Sequence, residues 1–292
     1  CDDGKTTSLL ANSLWLDDNF PYKDAAAQTL ADSYYASVFH GDLGTDEMNA
    51  LLQQWLNEQT GGLLEEQTKE TELEPGTVFA LASTSYFAAN WDNGFEPNCT
   101  ANAVFHSPTG DTTVPFMNRS DSHQTYYRGT KFGAVALKLN SGSMWLILPD
   151  EGTTVDEVLN CEEYLQLTLN PAEWENQKEV GVNLSLPKFD VDSKTDLIDG
   201  MKKLGVTDVF SGSTSDFTPI TDMADLYVYQ IDHAARVAID EDGVLAAAYT
   251  VIGIAPDSAP SQWIDFTLDR PFLFVVSSHD NLPMFAGVVE QP

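Results

Sequence analysis

The chain has 292 residues, enough for one large hydrophobic core or two modest ones, and no stretch of it has linker composition. Its 45 acidic against 14 basic side chains give a net charge of −31, which repels nucleic-acid phosphates and anionic membrane surfaces alike. There is no apolar run of roughly eighteen residues to span a membrane, three cysteines (Cys1, Cys99, Cys161) are too few for a disulfide framework, and the first residues lack the basic flank and apolar stretch of a secretion signal.

Residues 7–16 read as a strand. Leu30, Tyr34 and Val38 recur at helical spacing, which predicts a helix over 25–39. A second helix is expected over 46–58 from Met48, Leu51, Leu52 and Trp55, with Asp46 as its cap. Residues 77–91 carry too many β-branched and aromatic side chains for a helix and are expected as a buried central strand. A series of strands is expected over 104–117 and 126–148, then a short helical region over 155–167. Residues 180–189 alternate with period two as a strand, and 196–204 form an amphipathic helix ended by Gly205. There is no internal repeat, and helices and strands both occur along the chain, as in an α+β fold.

Catalytic and metal-binding motifs are missing. No Gly-x-Ser-x-Gly, His-Glu-x-x-His or phosphate-binding glycine loop occurs, and the histidines (40, 106, 123, 233, 279) lack ligand spacing. The acidic turn Asp240-Glu241-Asp242-Gly243 is too short for a calcium loop, whose ligands spread over about twelve positions. No metal and no cofactor is expected, and the chain is not expected to be an enzyme; a hydrolytic triad assembled across the fold stays open as an alternative. The triplets at Asn98, Asn118 and Asn183 fit glycosylation but arise easily by chance.

The most informative stretch follows that acidic turn. Thirteen residues from Val244 to Pro256 carry no charge, beginning with small side chains and passing into Tyr249, Thr250, Val251 and Ile252 before a Pro256-Asp257-Ser258-Ala259-Pro260 loop. One reading is a buried strand after a tight turn. The other is a segment that can become a strand but begins as a loop.

Flanking residues favour the second. His233-Ala-Ala-Arg-Val-Ala-Ile-Asp-Glu-Asp-Gly243, then Asp269-Arg-Pro-Phe-Leu-Phe274 and Met284-Phe-Ala-Gly-Val-Val-Glu-Gln-Pro292, resemble the hinge and C-terminal strands of serpins, the serine-protease inhibitors. Leu10-Ala-Asn-Ser-Leu-Trp15 and Met144-Trp-Leu-Ile-Leu-Pro-Asp-Glu151 are similar to further segments of that family. The resemblance implies a single α+β domain over 1–292, with mixed and antiparallel sheets, a large central sheet and several helices, and with about a fifth to a quarter of the usual chain missing before it. It further implies a reactive-centre loop over about 243–262, and Cys1 then falls inside the fold instead of acting as a lipid-modified first residue.

In that family the loop is attacked as a substrate by a serine protease and inserts into the main sheet before the acyl-enzyme is hydrolysed. The implied hinge is Gly243, Val244, Ala246, Ala247 and Ala248; the implied reactive bond is Asp257–Ser258, flanked by protease-contacting Ile254, Ala255, Pro256 and Ala259. His233, Ser83 and Trp91 match positions that control opening of the sheet, with Ser83 standing where the family usually has Asn. The implied partner is a serine protease that prefers Asp or Glu, or an elastase- or subtilisin-like enzyme. The location implied is extracellular or the cell surface, and the state a monomer liable to loop–sheet polymerisation. A non-inhibitory binding or chaperone-like module, or an inactive fragment, is the alternative.

Overall fold

The computed structural model describes residues 6–62, 64–69, 71–169, 176–244 and 262–292. These form two compact units, one of Ser8–Tyr86 with Asp192–Arg236, the other of Phe87–Val191 with Val237–Pro292.

In the first unit, strand β1 (Thr6–Asp17) pairs in parallel with β2 (Ser37–Gly41), from Ser13↔Ser37 to Asp17↔Gly41, and lies next to β3 (Phe79–Asn90). Helix α1 (Asp24–Tyr34) stops earlier than its spacing predicts. Tyr35 turns left-handed at φ 53°, its N–H donates to the Leu30 carbonyl, and Val38 and Phe39 enter β2 instead. Phe39 stacks on Trp15 at 4.2 Å, a contact that outweighs its place in the helical repeat. Helix α2 (Asp46–Gln59) is capped by Thr45, whose hydroxyl accepts from the Met48 N–H, and not by Asp46. It buries Met48, Leu52 and Trp55 against Trp15 and Leu43. A second cluster packs Leu14, Leu16 and Phe20 against Ala27 and Leu30 of α1.

A short helix α3 (Glu65–Thr68) follows α2. Strands β9 (Phe189–Asp196) and β10 (Asp232–Ile239) are neighbours. Between them, the expected amphipathic helix shrinks to residues Ile198–Lys203 and buries none of its side chains; Gly205 ends it at φ 92°, beside an exposed Leu204. Strand β3 is less buried than expected in this unit, since Leu81, Ser83 and Ser85 are exposed.

The second unit carries an eight-stranded sheet. Its order is β12 (Trp263–Thr267), β8 (Gln177–Pro187), β5 (Gly110–Arg128), β6 (Phe132–Leu139), β7 (Gly142–Pro149), β13 (Phe272–Ser277) and β14 (Pro283–Val289), with β4 (Ala101–Ser107) also paired to β5. Strand β7 is buried from Met144 to Pro149, as a continuous apolar run covered on both faces should be. One side packs Leu146, Phe272 and Phe274 with Phe116, Met117, Leu184 and Leu186. The other packs Ile147, Leu273 and Val275 under Val158, Tyr164 and Leu167 of helices α4 (Val155–Leu159) and α5 (Glu162–Leu169). The same unit holds the last residues of β3 and β10 with β11 (Gly243–Val244) between them.

Candidate functional site

The acidic turn closes on itself before it meets anything else. Asp240 Oδ1 accepts from the backbone N–H of Asp242 at 2.9 Å and of Gly243 at 3.2 Å, and the Asp240 N–H donates to the Gly243 carbonyl at 3.1 Å. This side chain and backbone together reverse the chain from β10 into β11.

A second turn, 91–95, clasps the first. The Trp91 N–H donates to the Asp242 carbonyl, its indole Nε1 donates to the Asp240 carbonyl, and the Phe95 N–H donates to the Glu241 carbonyl, each at 2.9 Å. Trp91 is 4% exposed and meets Phe95 edge-on at 6.1 Å. Gly94 passes so close that an added Cβ would stand 3.1 Å from the Glu241 carbonyl oxygen. Arg119 lies over the Phe95 ring at 4.8 Å, donates to the Asn93 carbonyl and pairs with Asp121 at 2.8 Å.

Charge at the turn is distributed unevenly. Lys188, which follows the last residue of β8, reaches Glu241 Oε2 at 2.5 Å, while Glu241 Oε1 accepts from the Thr100 hydroxyl at 2.7 Å. Burial pushes the Glu241 carboxyl up, but the Lys188 and Thr100 bonds outweigh it and hold the group below its ordinary value. Asp242 goes the other way: burial first, then the Asp240 and Glu241 carboxylates, raise it. Lys188 and Thr100 have no motif around them in the sequence.

Strand β11 is seated between two neighbours. Gly243 pairs with Asn90 and Val244 with Ala89 of β3, and Val244 pairs with Ile239 of β10, all antiparallel. Val244 is 2% exposed. Gly243 and Val244, the first two residues of the implied hinge, therefore pair within a sheet, whereas the sequence reading placed them at the start of a loop outside it. The rest of the hinge (Ala246, Ala247, Ala248), the bond Asp257–Ser258 and the flanking Ile254, Ala255, Pro256 and Ala259 lie outside the described residues.

The structure thus brings Gly243, Val244 and Trp91 together in the second unit. Ser83 and His233 belong to the first unit and are both exposed, so neither is a core residue. The Ser83 hydroxyl donates to Asn12 Oδ1 at 2.7 Å. Among the described residues no group of three or more His, Cys, Asp or Glu is placed to hold a metal ion, and no helix is long and apolar enough to cross a membrane.

Comparison with known proteins converges on one family. The family model described as serpin (serine protease inhibitor) matches residues 2–292. The alpha-1-antitrypsin-like protein GS55-MS of Ictidomys tridecemlineatus is 29% identical over 286 residues, spanning 96% of this chain and 67% of that protein. The solved structure of tengpin, a thermophilic serpin in its native state, is 27% identical and superposes with a TM-score of 0.85 over 99% of this chain and 75% of that one. Human thyroxine-binding globulin, solved with its hormone, superposes with a TM-score of 0.83 over 99% of this chain and 76% of that one; at 21% identity the likeness is one of fold. The α+β architecture with its large sheet is the serpin fold, and the chain belongs to the serpin family.

Proposed function

We propose that the protein inhibits serine proteases by offering residues 245–261 as a substrate loop and trapping the enzyme when the cut loop joins the sheet that β11 begins. The observation that carries this reading is the seating of Val244 between Ala89 and Ile239 at the head of an uncharged run.

Continued along the strand, the same antiparallel register runs down β3 and β10 together. Alternation puts Ala246, Ala248, Thr250, Ile252 and Ile254 on the face that Val244 buries. Six residues beyond Val244, Thr250 comes opposite Ser83 on one side and His233 on the other, since each lies six residues before Ala89 and Ile239 respectively. The two exposed polar residues that share no motif thus acquire a common role: they flank the incoming strand at one level.

The step begins with attack of the protease serine on the Asp257 carbonyl. An ester forms to Asp257, and the peptide bond breaks with release of the Ser258 amine. About a dozen new ladder hydrogen bonds, each worth roughly 1 kcal/mol, together with side-chain burial, favour insertion by on the order of 10–20 kcal/mol before ordering entropy is subtracted. That surplus drags the tethered enzyme away from its working geometry before water reaches the ester. An acidic residue at the cut selects a protease with a basic specificity pocket; cutting after Ile254 or Ala255 selects an elastase- or subtilisin-like enzyme. Such targets are extracellular, and no metal or cofactor enters the step.

The test is incubation of the full chain with Glu/Asp-specific, elastase-like and subtilisin-like proteases. A covalent complex on a denaturing gel, a cut mapped by mass spectrometry to 254–258, and a melting temperature raised by about 10 °C or more after cleavage are expected. Cleavage without complex and without stabilisation would leave the loop a mere substrate and sink the reading.

A further inference from the structure

We infer that the outer face of β12 and β8, beside the loop, is a second contact for the attacking protease, built to receive a basic side chain on the rim of the enzyme's cleft. This rests on the reading of 245–261 as the attacked loop.

Strand β12 starts with Trp263, which is 48% exposed although tryptophan is among the costliest side chains to leave in water. Its partner across the ladder is Gly181, which has no side chain to lay against the ring. Asp265, two residues on, points to the same side of the strand, about 7 Å away along the chain. It is exposed, as the alternation requires, while Phe266 between this face and the core is buried.

The carboxylate is held rather than loose. Asn183 Nδ2 donates to Asp265 Oδ1 at 2.8 Å, and Ser120 Oγ donates to Asn183 Oδ1 at 2.8 Å, a chain of hydrogen bonds over three strands in direct register. On a solvated face such a ladder adds little stability, because water would satisfy each group as well. Its effect is to aim Asp265 and leave Oδ2, which accepts no hydrogen bond from the described residues, for an incoming donor. A ring face and a fixed carboxylate at this spacing suit a guanidinium or ammonium, by cation–π contact and ion pairing together.

Reach and charge identify the occupant. From Ser258 to Trp263 the chain extends at most about 17 Å, and a protein docked with a typical interface of about 800 Å² per partner covers a disc of roughly 16 Å radius. An enzyme seated on the Asp257–Ser258 bond therefore brings its rim close to Trp263. With a net charge of −31, the chain favours partners that are basic around their active cleft.

The test uses the full chain and whichever protease of the panel attacks the loop, and reads the second-order rate of attack, counting complex and cleaved product together. Trp263→Ala and Asp265→Asn should each lower that rate about 5–10-fold. Asp265→Asn should also flatten its decline with salt, and Asn183→Ala should have a smaller effect of the same kind. The ratio of complex to cleaved product should not change, because partitioning follows acylation. Should Trp263→Ala fail to fold, Asp265→Asn and Asn183→Ala carry the test. Unchanged rates and salt dependence with complex still formed would overturn the second contact alone. Rates that fall while no complex forms would overturn the inhibitor reading and leave the contact standing, and a loop that no protease attacks would overturn both.

Discussion

Lys188 holds Glu241 at 2.5 Å, and this pair anchors the turn that leads into β11. The Glu241 side chain is 13% exposed and that of Lys188 34%, so the pair is only partly screened by solvent. Glu241→Gln should cost about 1–3 kcal/mol at neutral pH, because an ammonium loses its counter-charge and the Thr100 hydroxyl a charged acceptor. The carboxyl titrates lower in the folded chain than unfolded, so its contribution is complete above the unfolded value of 4.5 and fades as pH falls through the folded one. Urea melts should separate wild type and variant at pH 7, and the separation should shrink as pH is lowered below 4.5.

Asp242→Asn should act with the opposite sign. Its carboxyl is raised by burial and by the Asp240 and Glu241 carboxylates, so folding is penalised once pH climbs past the unfolded value of 3.8, and fully so above the folded one. The variant should melt higher than wild type at pH 7 and equally at pH 3. A variant that melts lower at pH 7 would contradict the crowding of carboxylates at this turn.

Trp91→Phe keeps most of the buried ring but removes the indole N–H that the Asp240 carbonyl accepts. A loss of about 1 kcal/mol is expected from the missing bond, whereas Trp91→Ala should cost about 3–5 kcal/mol by opening a cavity against Phe95. Hydrogen exchange at the Asp242 and Gly243 amides should quicken in both.

The seated position of Val244 changes which substitution tests insertion. Val244→Arg would bury a charge in the fold as it stands. Ala246→Arg would place the charge at the next position on the same face of the proposed inserted strand, and should raise the ratio of cleaved product to complex about tenfold or more. His233→Ala and Thr250→Val should raise that ratio by a smaller factor, and the double variant should not exceed the larger single effect if the two side chains meet. Additive effects would contradict the register drawn from Ala89 and Ile239.

Patterns carried by many side chains were legible in the sequence, and single contacts were not. The strands over 104–148 and the helix from Asp46 announce themselves through periodic burial, since each apolar side chain repeats the same signal. Helix α1 was overextended because Val38 keeps a helical phase that the Trp15–Phe39 stack overrides. Asp46 was chosen as a cap when Thr45, one residue earlier, has the same chemistry. At the candidate site, the Asp240–Gly243 turn and Trp91 were visible as types. Lys188 and Thr100 were not, because 53 and 141 residues respectively separate them from Glu241 and no local pattern encodes so long a contact. The Asp265–Asn183–Ser120 ladder was hidden for the same reason: it exists only once three strands are aligned.

The two residues of β11 have a kinetic consequence. Bringing a free segment to a sheet for the first time spends loop-closure entropy before any bond rewards it. In the proposed insertion that initial cost is already met by folding, and a released segment would only have to lengthen a strand whose end is formed. Alignment is settled at the same stroke, since a slip of one residue would turn every small side chain to the wrong face. Zipping from a fixed end would be a race run without a search, which is what the proposed trap, competing with a single water molecule, would require.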